Sequence, residues 1–99
     1  MIKDVDDKFY DRADEHIRLS NVQLQNIGPG KVRASMMYSL ARFTAWNNAR
    51  GFENGEQMAA ERQSILDYQM TEYREMLEEN LDDYIESFSR YRDMPEERE

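Results

Sequence analysis

The stretch from Lys31 to Arg50, KVRASMMYSLARFTAWNNAR, constrains this chain more than any other. At about 100° per residue, Val32, Met36, Leu40 and Phe43 line one side of a helix. Ala34, Tyr38, Ala41, Ala45 and Ala49 line the opposite side. A helix that is apolar on two faces is normally packed between partners. The expectation is therefore a buried central helix, with Leu40 and Phe43 in the core and the alanines admitting a close neighbour.

The flanking segments read as further helices. Phe9, Ala13, Ile17, Ser20, Leu24 and Ile27 recur at spacings of three and four, with Asp7, Asp11, Asp14 and Arg18 on the other side, which predicts an amphipathic helix over about 6–26. Asp4, Asp6 and Asp7 precede it as candidate caps and as anions for its positive end. Gly28-Pro29-Gly30 should stop it, with glycine in the left-handed position after the helix. So short a connection makes its two helices antiparallel neighbours. Phe52 to Gly55 forms the second connection, in which Phe52 plugs the end of the core and Asn54 and Gln57 resemble a capping box.

The last periodic segment holds neither Gly nor Pro from Glu56 until Pro95. Leu66, Met70, Tyr73, Leu77, Leu81, Tyr84, Phe88 and Tyr91 share one stripe, predicting a helix over about 55–91 with a frayed tail over 92–99. At ~1.5 Å per residue it outruns the other two helices, so it either breaks near Asn80 into a fourth element or covers something beyond them. The fold class is all-α: one domain over 1–99, a small antiparallel three-helix arrangement with a long C-terminal helix.

Charge narrows the function classes. The net charge of −8 opposes a dedicated nucleic-acid binder, and no apolar run approaches the ~20 residues of a membrane span. The N-terminal segment MIKDVDDKFYDRADE is charged where a signal peptide would be apolar, so the expected compartment is the cytoplasm. Residues 1–50 carry eight Lys/Arg against six Asp/Glu, whereas residues 51–99 carry five against fifteen. From His16 to Phe52 there is no acid at all. A basic middle and an acidic end are expected to lie against each other.

No constellation for catalysis emerges. There is no cysteine, His16 has no carboxylate three or four residues away, and the Glu-x-x-His pair of bundle metal sites is missing. Glu72, Glu75, Glu79, Asp82 and Glu86 recur at three and four, but they lie opposite the apolar stripe, where a solvated face belongs. Neither a metal nor a cofactor is expected, and the chain does not read as an enzyme. The weak ligand-binding candidates are Arg42, Trp46 and Asn47. Arg42, set among apolar residues, calls for a carboxylate partner or an anion, while Trp46, Asn47 and Asn48 call for hydrogen-bond partners.

The segments FYDRADEHIRLSN, GKVRASMMYSLARFTAWNNA and YREMLEENLDDY resemble a family of small bacterial proteins catalogued only as a domain of unknown function. The resemblance spans nearly the whole chain and implies a helical, cytoplasmic bacterial protein. It implies no activity. The sequence is thus read as a non-enzymatic interaction or scaffold protein that self-associates as a dimer, with Tyr84, Phe88 and Tyr91 as candidate interface residues. The alternative is small-molecule or anion binding near Arg42, Trp46 and Asn47.

Overall fold

The computed structural model describes residues 4–92, so the C-terminal part of the expected tail lies outside the described residues. Five helices follow in order: α1 Phe9–Leu24, α2 Pro29–Ala49, α3 Gly55–Ala60, α4 Arg62–Glu86 and α5 Phe88–Tyr91. No strand occurs among the described residues, and three of the helices are long. The all-α expectation holds. The expected internal packing does not.

Each helix end has a local cause. Before α1, the Asp6 carboxylate accepts the Lys8 N–H at 2.8 Å and the Arg12 guanidinium at 3.1 Å, forming a polar turn ahead of the helix. The N-cap itself is Lys8, without a side-chain cap, so none of the three aspartates caps α1 directly. At the other end the chain tightens after Leu24, where the Asn26 and Ile27 N–H groups both reach the Gln23 carbonyl. Gly28 does not take the left-handed position expected of it. It is the extended N-cap of α2 (φ −73°, ψ 158°), and Pro29 occupies the first turn, where its missing N–H costs nothing. Gly30 already belongs to α2, so the connection falls before Pro29 rather than across it.

The expected third helix is interrupted at Glu61 and again at Ser87. The break does not fall at Asn80, whose side-chain amide instead bonds back to the Met76 carbonyl at 2.8 Å inside an unbroken turn. Ser87 leaves the helical region at φ −113°, ψ 36°; serine is a weaker helix former because its hydroxyl competes for the backbone. At Asn54 the capping expectation is met. Its side chain accepts the Gln57 N–H at 2.9 Å, and the Gln57 side chain returns a bond to the Glu53 N–H at 2.8 Å, one residue earlier than the standard box.

α1 and α2 contact each other across their short connection, with Phe9, Ala13 and Ile17 half-buried. α4 packs chiefly against its own continuations, α3 and α5. Among the described residues, therefore, the basic middle and the acidic end do not pack extensively against each other. The radius of gyration is 16.1 Å, against about 13 Å for a compact domain of this length.

The largest correction concerns the core. Among the described residues the only buried ones are Val32 and Asp14. In α2, Leu40 is 56% exposed and Phe43 62% on one face, and Tyr38, Ala34, Ala41, Ala45 and Ala49 are exposed on the other, so a helix read as buried on two faces is open on both and its alanines admit no close neighbour. Phe52 is half-buried, and it closes no core. No helix of the described residues is long and apolar enough to cross a membrane.

Candidate interaction surface

Two open apolar stripes are the most distinctive features of the molecule. The first, on α2, runs through Met36, Leu40 and Phe43, all exposed, beyond the buried Val32. The other partly covered positions of α2, Thr44 and Asn48, lie roughly a quarter-turn around the helix, so the chain covers one side and leaves this stripe free. Basic groups border it: Arg33 along one edge, Arg42 along the other and Arg50 at its end. The Arg33 guanidinium reaches the Met37 sulfur at 3.1 Å, and the Arg50 guanidinium stacks 5.0 Å from the Trp46 ring centre. Phe43 and Trp46 meet at 5.7 Å. α2 holds no acid along its length.

The second stripe, on α4, runs through Leu66, Met70, Tyr73, Leu77, Leu81 and Tyr84, each exposed. Part of it forms an open groove of about 400 Å³ lined by Met70, Thr71, Tyr73, Arg74, Leu77, Glu78 and Leu81, residues of one helix with no second wall. Asp67 and Glu78 border the stripe on one side, with Arg74 between them paired to Glu78 at 3.6 Å, and Asp83 borders it on the other. α4 carries eight acids against Arg62 and Arg74.

The candidate interface residues are brought together at the end of this stripe. Because the helix breaks at Ser87, Tyr91 turns back onto Tyr84 with ring centres 4.8 Å apart. Phe88 remains exposed, with the Arg92 guanidinium 5.4 Å from its ring centre.

Arg42, Trp46 and Asn47 are all exposed on α2. Lys8–Asp11, Arg12–Asp6 and Arg74–Glu78 form ion pairs, and none of these three gives Arg42 the carboxylate partner expected of it. Asn48 bonds back to the Thr44 carbonyl at 2.9 Å and forms no network with Trp46 or Asn47. Sequence reasoning missed the Arg50–Trp46 stack, although a spacing of four on a helix signals it.

His16 is exposed, and no group of acids and histidines among the described residues could hold a metal ion. Asp6 titrates below its ordinary value, held there chiefly by the hydrogen bond from Arg12 and next by the Lys8 N–H. This pair orders the entry to α1, away from either stripe.

The family model described as protein of unknown function (DUF3144) matches residues 9–85, from the first turn of α1 almost to the end of α4. The chain belongs to that family. An NMR structure of the protein NB7890A from Shewanella sp is 48% identical and superposes with a TM-score of 0.76, covering 91% of this chain and 96% of that one. No curated protein matches the chain. The family match takes in both stripes.

Proposed function

We propose that this member of the family is a non-enzymatic interaction protein whose working form is a self-associated assembly of identical chains in a bacterial cytoplasm. The observation that carries the reading is the apolar surface the single chain leaves in water. A folded monomer of 11.9 kDa exposes about 5,900 Å², whereas this chain exposes 8614 Å². Folding the single chain thus removes only about half of the surface an extended chain would expose, where a domain of this size removes roughly two-thirds.

An excess of exposed surface on this scale, together with the exposed apolar residues of α2 and α4, marks an interaction site. Its division into two long stripes suits helix-on-helix association better than a small-molecule pocket, because neither stripe has a second wall. The net charge of −8 and the open arrangement of Arg42, Trp46 and Asn47 support a protein partner over nucleic acid or a bound anion.

Sedimentation equilibrium tests the reading. A dimer is expected at micromolar concentration. Phe88→Asp should shift the equilibrium toward monomer while leaving far-ultraviolet helicity largely intact. A wild-type chain that stays monomeric at hundreds of micromolar overturns it.

A further inference from the structure

We propose that the occupant of each apolar stripe is the other stripe of a second copy: α2 of one protomer packs along α4 of its partner, and the partner's α2 packs along α4 of the first. This arrangement rests on the self-association reading above and specifies its geometry. Its basis is the unpartnered state of both stripes in one chain together with their opposite charge.

Charge decides between the ways two copies can pair. α2 carries Lys31, Arg33 and Arg42 with no acid, and its stripe is edged by guanidinium groups. α4 carries eight acids against two arginines, and its stripe is edged by carboxylates. Pairing α4 with α4 places like charges along both borders, and pairing α2 with α2 does the same with the opposite sign. Only α2 on α4 puts Arg33 and Arg42 beside carboxylates such as Asp67 and Glu78. Complementary borders of this kind fix partner choice, as flanking charges do in coiled coils.

Length and area agree with the pairing. α2 has 21 residues and α4 has 25, spanning about 32 and 38 Å, so the two helices can lie side by side, with the open α2 stripe from Met36 to Trp46, about 15 Å long, on the middle of the stripe on α4. A two-fold axis generates the contact twice, since a residue of α2 that meets a residue of α4 does so in both directions. The excess exposure of a single chain, roughly 2,000 Å² or more, lets two copies bury the area of an obligate homodimer interface, about 2,000–5,000 Å². It also gives the groove at Tyr73 and Leu77 its missing wall.

The decisive measurement uses wild-type protein, so that no variant need survive. Isotopically labelled and unlabelled chains are unfolded together, refolded and examined for filtered nuclear Overhauser effects between copies. The expected result is contact across copies between the Phe43 or Trp46 ring and the Leu77 or Leu81 methyls. Contacts across copies confined to α4 with α4, or to α2 with α2, overturn this arrangement while leaving self-association standing. An α2–α4 contact seen only within one chain overturns it as well. A monomer by sedimentation overturns the reading beneath it.

Charge inversion provides a second test. Arg33→Glu with Arg42→Glu should raise the dimer dissociation constant at least tenfold, and adding Asp67→Arg with Glu78→Arg should restore it to within about threefold. Failure of the compensating pair to restore affinity, with the quadruple variant still helical, rejects the pairing.

Discussion

Tyr91 folds back onto Tyr84 with ring centres 4.8 Å apart and planes inclined at 41°, because the backbone leaves the helix at Ser87. The pair stiffens the far end of the α4 stripe. An aromatic pair contributes about 0.5–1.5 kcal/mol beyond its buried area, and a double-mutant cycle of Tyr84→Ala and Tyr91→Ala by urea denaturation should recover a coupling in that range. Additive single-variant effects would show that the rings do not meet in solution.

Asn54 holds the start of α3 through the Gln57 N–H, while Gln57 answers through the Glu53 N–H. Asn54→Ala should cost about 1 kcal/mol, the ordinary effect of losing a helix cap. Asn54→Gly should cost only a few tenths, and this ordering, measured by denaturant midpoint at fixed protein concentration, separates a cap from a mere turn residue.

Asp6 titrates below its ordinary value because Arg12 donates to its carboxylate, with a further contribution from the Lys8 N–H. The folded form therefore binds this proton less readily than the unfolded form. The stabilisation from the pair is present above the unfolded value of 3.8 and is lost as pH falls through the lower folded value. In an NMR carboxyl titration Arg12→Gln should move the Asp6 midpoint upward toward 3.8; an unmoved midpoint would assign the shift to the backbone alone.

Val32 is the one buried apolar side chain among the described residues, whereas Leu40 and Phe43 stand open. Val32→Ala should lower stability at every protein concentration. Leu40→Ala and Phe43→Ala should instead remove the dependence of the thermal midpoint on concentration. For a wild-type dimer each tenfold increase in protein adds about 1.4 kcal/mol per dimer. A concentration-independent wild-type midpoint would contradict the assembly.

Periodicity and turn chemistry in the sequence alone determined that the fold is all-helical and that Asn54 and Gln57 form a cap. These are local properties: a helix closes its hydrogen bonds within itself, and a cap acts within one turn. The stripes were equally legible, since side chains three and four residues apart share a face whatever lies opposite.

Only the tertiary structure decided what covers each face. Leu40 and Phe43 read as core because an apolar stripe demands cover, and periodicity cannot distinguish cover by the same chain from its absence. Gly28 likewise read as the left-handed end of α1, but the chain spent its turn before Pro29 and used the glycine to open α2. The opposite charges of the middle and the end were visible from the start. Among the described residues α2 and α4 make no extensive contact, and no spacing of residues encodes that outcome, because it is set by the arrangement of whole helices rather than by local turn chemistry.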